Sequence, residues 1–113
     1  MQPGGQILDK QKLRAITMDD PELMREILNA LLDDTSMRMG LLEAAIRGNH
    51  SARCVRLAHY SKGACTNVGA NRAAELFRQL ESKAAKCEFS MCAQLLAALV
   101  SEMDLLRKET LTI

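Results

Sequence analysis

The chain has 113 residues, 48% of them hydrophobic and 26% charged, which is the composition of one globular domain and excludes a disordered chain. Aromatic residues make up 3% and Trp is absent, so the core must be aliphatic, built from Leu, Ile, Ala and Met, and this favours helices over strands. Formal net charge is +1, from 15 basic and 14 acidic residues, which lacks the basic excess of a nucleic-acid binder or of a helix lying on a membrane surface.

No segment alternates apolar and polar residues as a half-buried strand would, and no internal repeat or low-complexity stretch is visible. Residues 1–6 read as a loose tail, because Pro3, Gly4 and Gly5 precede any periodic pattern, leaving 7–113 as a single domain. A short first helix is predicted over 7–16, with Leu13 and Ile16 on one side. Asp20-Pro21-Glu22 marks the next start: an N-cap acid, a proline at the first helical position and an acid that complements the helix dipole. The second helix is predicted over 21–47, with Leu23, Ile27, Leu31, Leu41 and Ala45 as its apolar stripe, widened by Leu28, Leu42 and Ile46. Gly40 weakens it locally and Gly48 ends it.

A third helix, capped by Asn49 or Ser51, reaches Val68 and is closed by Gly69. Asn71 is the expected cap of a fourth, with Ala74, Phe77, Leu80 and Ala84 facing inward. Ser90 is the expected cap of a fifth, carrying Leu95, Leu99, Met103 and Leu106. The short connections place neighbouring helices antiparallel. The expected fold is all-α: an antiparallel up-down four-helix bundle with a short additional N-terminal helix.

No apolar run approaching the roughly 18 residues of a transmembrane helix is expected, and the first residues lack the basic and apolar regions of a secretory signal. The expected location is therefore the cytoplasm. Cys54, Cys65, Cys87 and Cys92 form no Cys-x-x-Cys pair, and neither His50 nor His59 stands at a zinc-like offset from them. They read as small buried hydrophobes, with no metal site expected.

The informative constellation lies in the third helix. At about 100° per residue, Leu57, Ser61, Ala64 and Val68 share one face as the core stripe, with Cys54 and Cys65 at its margin. His59 is displaced about 200° from Leu57 and is expected in water. Lys62 and Gly63 flank it one turn on, and Val55 and Thr66 stand above and below. A glycine inside a helix costs about 1 kcal/mol relative to alanine. On the side away from the core, its missing side chain leaves room for a bulky group beside the imidazole. A neutral imidazole is a competent nucleophile near neutral pH, and a lysine at the rim can offset the charge of a transferred phosphoryl group.

His59-x-x-Lys62-Gly63, followed by Asn67-Val68-Gly69, resembles the signature of histidine-containing phosphotransfer (Hpt) domains, the phosphate-carrying modules of two-component phosphorelays. The likeness extends over about residues 7–107. Leu13-Arg14-Ala15-Ile16 through Asp20-Pro21-Glu22-Leu23 looks like the entry into the family's long second helix, Gly48-Asn49 like the turn before its histidine helix, and Leu80-Glu81 like the end of the helix that follows.

The resemblance implies that His59 accepts a phosphoryl group from a receiver-domain aspartyl phosphate and passes it to another receiver aspartate. Lys62 would neutralise phosphoryl charge, Gly63 would give clearance, and Gly69 and Asn67 would shape the turn. The implied partners are response-regulator receiver domains and a hybrid sensor histidine kinase. The chain itself would need no cofactor, since the receiver would bring Mg²⁺, and no nucleic acid or membrane is implied. A carrier that shuttles between partners is expected to be a monomer.

The sequence departs from the family pattern at Ser61, where a bulky aliphatic residue is usual; its hydroxyl is expected to bond back to the Leu57 carbonyl. Tyr60 fits either the helix edge or a docking face. Val55, Arg56 and Thr66 are candidate docking residues, and Arg53 and Arg72 add to a mildly basic surface that suits an acidic receiver site. His50 and the Asp33-Asp34 pair read as solvated. A kinase is disfavoured because no Gly-x-x-x-x-Gly-Lys-Ser/Thr loop is present. The remaining alternative is a binding-only bundle that docks a receiver or kinase without phosphotransfer.

Overall fold

The computed structural model describes residues 6–113, so most of the expected N-terminal tail lies outside the described residues. Five helices follow in chain order: α1 (Lys10–Thr17), α2 (Pro21–Arg47), α3 (Ser51–Val68), α4 (Asn71–Ala85) and α5 (Phe89–Leu111). Among the described residues there is no strand.

Acidic side chains start the first two helices. Asp9 accepts from the Lys12 backbone N–H at 3.1 Å, and Asp20 accepts from those of Glu22 and Leu23 at 3.0 and 3.3 Å, with Pro21 at the first position. The later helices begin otherwise. His50, Ala70 and Glu88 hold the cap positions and make no side-chain cap bond, so Asn49, Ser51, Asn71 and Ser90 do not cap as expected.

The reason is a turn used four times. Met18, Asn49, Gly69 and Cys87 adopt left-handed backbone, and in each case the following N–H reaches the carbonyl five residues back: Asp19 to Arg14, His50 to Ala45, Ala70 to Cys65, Glu88 to Lys83. This Schellman geometry satisfies the outgoing carbonyls and leaves almost no chain before the next helix. Asn49, not Gly48, is therefore the left-handed residue after α2. The same turn puts Cys87 in solvent, contrary to its expected burial.

α2 packs against α3 and α5, and α4 packs against the same two, so the four long helices close into a ring with a shared core. α3 and α4 are the most extensive pair. The buried faces of both helices are rich in small residues: Cys54, Ala58, Ser61 and Cys65 on α3, and Ala73, Ala74 and Ala84 beside Phe77 and Leu80 on α4. Ser51 donates to the Ala84 carbonyl at 2.6 Å, tying the start of α3 to the end of α4.

The core faces of two helices differ from the predicted stripes. In α2 the buried line is Met24, Leu28, Leu31, Leu32, Thr35, Met39, Leu42, Ala45 and Ile46, while Leu23 and Leu41 are exposed. In α3 it is Cys54, Ala58, Ser61 and Cys65, with Leu57 half-buried. In α1, Leu13 and Thr17 are buried and Ile16 is exposed.

α5 also differs from expectation: it is long and apolar enough, by length and composition, to cross a membrane. Its Cys92, Leu99, Met103 and Leu106 line the ring's core. Glu102 is buried among them and held by Arg72 of α4 at 3.0 Å, so the Arg72 guanidinium is engaged within the fold. Only 28% of the most apolar stretch of α5 is buried.

Candidate functional site

α3 presents its functional face because the buried line of small residues fixes its rotation. Taken from that line at about 100° per residue, His59 lies about 130° away and Gly63 nearly opposite. His59 is 67% exposed. It leans over the α3–α4 seam, where its Nδ1 lies 3.0 Å from Oε2 of Glu81 on α4. Lys62, one turn further along α3, donates to the other Glu81 oxygen at 3.1 Å. One carboxylate thus holds both residues that the motif brought forward.

The electrostatics follow from this bridge. Partial burial of Glu81 works to raise its carboxyl pKa. Hydrogen bonds from Lys62 and His59, aided by the Lys62 charge, outweigh it and hold the carboxyl below its ordinary value of 4.5. Glu81 is therefore a carboxylate near neutral pH and only accepts hydrogen bonds. The proton in its contact with His59 must then sit on Nδ1, which leaves Nε2 of the neutral ring with the free lone pair.

Gly63 is exposed, and a Cβ built on it would meet nothing within 4 Å. Among the described residues, the position beside the imidazole is open space. Around it, Arg56 and Thr66 are exposed and Val55 is half-buried against the core. Thr66 is engaged within the fold: its hydroxyl donates to the Lys62 carbonyl at 2.9 Å, and its own carbonyl accepts from Lys12 Nζ at 2.8 Å. Tyr60 turns toward α2, where the Arg38 guanidinium stacks 3.6 Å from its ring centroid, and Asp34 holds Arg38 at 3.1 Å. Tyr60 is a helix-edge residue that remains 53% exposed.

Gly69 closes α3 with φ 90°, and its carbonyl accepts from the Asp9 N–H at 2.8 Å. An added Cβ there would stand 2.9 Å from the Asp9 carbonyl oxygen, so glycine is required both by the backbone angle and by the close approach of the chain that enters α1. Asn67 is exposed, and among the described residues its side chain makes no hydrogen bond to the turn.

The Ser61 hydroxyl is buried with no partner among the described residues, so the expected bond to the Leu57 carbonyl is not made. Burial pushes the Cys65 thiol up to about 12 and that of Cys92 to about 11, which removes both as nucleophiles near neutral pH. Among the described residues no three His, Cys, Asp or Glu side chains cluster to hold a metal ion.

Glu81 is the residue that sequence reasoning missed. It was visible only as half of a Leu-Glu pair 22 positions after His59. With α4 starting at Asn71 and Leu80 facing the core, its position along the seam could have been inferred by pairing α3 and α4 antiparallel.

A family model for the Hpt domain matches residues 26–109. The chain belongs to the Hpt domain family, whose members are phosphocarriers rather than kinases and interact with response-regulator receiver domains and kinases. Among solved structures, histidine-containing phosphotransfer protein B (HptB) from Pseudomonas aeruginosa PAO1 superposes with a TM-score of 0.87 at 22% identity, covering 96% of this chain and 94% of that one. No curated protein matches the chain in sequence.

Proposed function

We propose that the chain is a phosphorelay carrier in which His59 Nε2 accepts a phosphoryl group from a receiver-domain aspartyl phosphate and delivers it to an aspartate of another receiver. The observation that supports this most is the Glu81 bridge: it leaves the exposed nitrogen of His59 as the nucleophile and puts Lys62 beside it. The Nε2 lone pair forms the N–P bond as the acyl phosphate P–O bond breaks, and the donor aspartate leaves as a carboxylate. Both ring nitrogens are then substituted and the imidazole carries positive charge, which the Glu81 carboxylate stabilises through Nδ1–H. In the onward step the acceptor carboxylate attacks phosphorus, the N–P bond breaks, and neutral His59 is restored.

Lys62 uses one of its three donors on Glu81 and has the others for phosphoryl oxygens. Gly63 keeps the in-line path to Nε2 clear, and Arg56 with the edges of Val55 and Thr66 forms the rim against which a receiver docks. The Mg²⁺ of the reaction belongs, by this reading, to the receiver. The helical ring is read as an antiparallel up-down four-helix bundle with α1 laid across the α2 and α3 side, and the carrier as a cytoplasmic protein.

Incubation with phosphorylated receiver and Mg²⁺ tests the proposal. Label appears on the wild type and not on His59→Gln. Absence of label with every receiver tried, despite measurable binding, supports the binding-only alternative. Label acquired from ATP alone overturns the carrier reading.

A further inference from the structure

Two side chains flank the opening at Gly63 from one turn back along α3. His59 stands four residues before the glycine and Tyr60 three, so both border its position on the helix surface. Measured from the buried line, His59 is turned about 130° toward α4 and Tyr60 about 130° the other way, toward α2. A body large enough to bring an aspartate over Gly63 to the His59 ring covers the strip between them and meets Tyr60.

Tyr60 is exposed and yet held. The Arg38 guanidinium of α2 stacks 3.6 Å from the ring centroid, and Asp34 holds that guanidinium at 3.1 Å. The fold takes one face of the ring and leaves the rest open. An exposed side chain loses rotamer freedom when a partner covers it, which weakens binding. Here a stacked cation across the α2–α3 seam has restricted the ring beforehand.

The surroundings state the chemistry of the partner. Met37 and Leu41, on either side of Arg38 in α2, are exposed, so apolar surface continues from the ring onto that helix. The charges on α3 are Arg53, Arg56 and Lys62, with no acid, and Arg56 lies in the strip between Tyr60 and His59. The face is apolar at its α2 edge, basic in the middle and nucleophilic at its α4 edge. Its complement has a carboxylate beside an apolar patch, and the aspartate that exchanges the phosphoryl group supplies that carboxylate.

We infer that Tyr60, positioned by Arg38, is the aromatic anchor on which a receiver domain docks across the α2–α3 seam while its aspartate reaches His59. The identity of the partner rests on the carrier reading; the anchor adds which residue selects it. Rigid aromatic side chains that a partner covers completely are the type that dominates binding energy.

Tyr60 is the single tyrosine of the chain and Trp is absent, so fluorotyrosine incorporated into the full chain reports on this one ring. Fluorine NMR follows the addition of a receiver domain, and labelling rates against the concentration of the phosphorylated domain give KM and the maximal rate. The resonance is expected to shift on binding in wild type and in His59→Gln alike. Tyr60→Ala is expected to raise KM about tenfold with the maximal rate near that of wild type, and Tyr60→Phe, which keeps the ring, to restore KM. Arg38→Met is expected to raise KM less and to add little to Tyr60→Ala. Met91→Ala, which removes an exposed apolar side chain of α5 outside this seam, is the control. Circular dichroism checks that each variant is folded, and the wild-type resonance needs no variant. A receiver that labels His59 with the same KM in Tyr60→Ala, or that binds without moving the resonance, overturns the anchor and leaves the carrier reading standing. A receiver that moves the resonance and never labels His59 supports the anchor and overturns the carrier reading. Receivers that neither bind nor label overturn both.

Discussion

Glu81 and His59 are 22 residues apart on different helices, and their side chains meet at 3.0 Å across the α3–α4 seam. The same carboxylate takes Lys62 at 3.1 Å. The chemistry of the exposed face on α3 is thus set from α4. In the proposed reaction Glu81 is a positioning residue, since its contact with Nδ1 fixes which ring nitrogen carries the proton.

Replacing Glu81 tests that role. Glu81→Ala frees the ring to exchange tautomers and removes the charge that stabilises the phosphorylated imidazole, so transfer is expected to slow by about tenfold or more. Glu81→Gln keeps an acceptor for Nδ1–H without the charge and is expected to fall between the two. Nitrogen chemical shifts of His59 give the readout that a purely structural role would not move. Wild type should show a predominantly Nδ1-protonated neutral ring and Glu81→Ala a mixture. An unchanged tautomer in Glu81→Ala counts against the assignment.

The pH dependence has a definite sign. The Glu81 carboxyl is held below 4.5 in the fold, so it binds fewer protons there than in the unfolded chain at mildly acidic pH. Its stabilisation is fully present above the unfolded value and is lost as pH falls through the lower folded one. Urea denaturation between roughly pH 2 and 6 is expected to show a steeper acid limb in wild type than in Glu81→Gln. Parallel curves mean that the bridge adds nothing to stability.

Gly63 separates helix stability from chemistry. Since a Cβ there meets nothing, Gly63→Ala is expected to raise stability by up to about 1 kcal/mol. Gly63→Leu is expected to keep the fold while slowing transfer by about tenfold, because the larger side chain enters the path to Nε2. Thermal melts and labelling rates on the same samples check both halves. Equal labelling rates for Gly63→Leu and wild type would remove the clearance role.

How far the sequence could carry this reading depended on whether a feature was local. The five helices, the acid cap at Asp20 and the exposure of His59 rest on neighbours within a turn or two, or on a pattern such as Asp20-Pro21, whereas the Asp9 cap falls inside the helix predicted over 7–16. The rotation of α3 rests on α4. Leu57 is the larger hydrophobe, but the buried line of α3, the helix with the most extensive contact to α4, consists of the small residues Cys54, Ala58, Ser61 and Cys65. Side-chain size at the contact overrode hydrophobicity, and the predicted stripe turned with it. Glu81 and the Arg72–Glu102 pair were illegible for the same reason: each joins residues on different helices. The repeated left-handed turn was hidden because three of its four central residues, Met18, Asn49 and Cys87, are not glycine.

Ser61 follows from that packing. Its hydroxyl is buried without a partner among the described residues, and the residue is 1% exposed, so a larger side chain must displace its neighbours. Ser61→Ala removes the orphaned group without adding volume and is expected to stabilise the fold by about 1 kcal/mol, with the labelling rate of His59 unchanged. Ser61→Leu is expected to destabilise it by about 1–3 kcal/mol through overpacking, although it restores the residue type usual in the family. Urea midpoints decide both signs. A stabilised Ser61→Leu would show that the seam has room that the structure denies it.

Arg72 and Glu102 form the other cross-helix pair, and their inequality makes the test specific. The Glu102 side chain is 6% exposed, whereas that of Arg72 is 34% exposed. Removing the guanidinium strands a buried carboxylate whose second oxygen already lacks a partner among the described residues. Arg72→Ala is therefore expected to cost about 3 kcal/mol. Arg72→Met with Glu102→Leu leaves no charge to strand and is expected to recover most of the loss. Chemical denaturation of the single and double variants measures the difference. Because the pair joins α4 to α5 and stands apart from the His59–Glu81 bridge, labelling of the folded fraction should be unaffected in both. A slower rate there would mean that α4 transmits the change to Glu81, and through it to the ring.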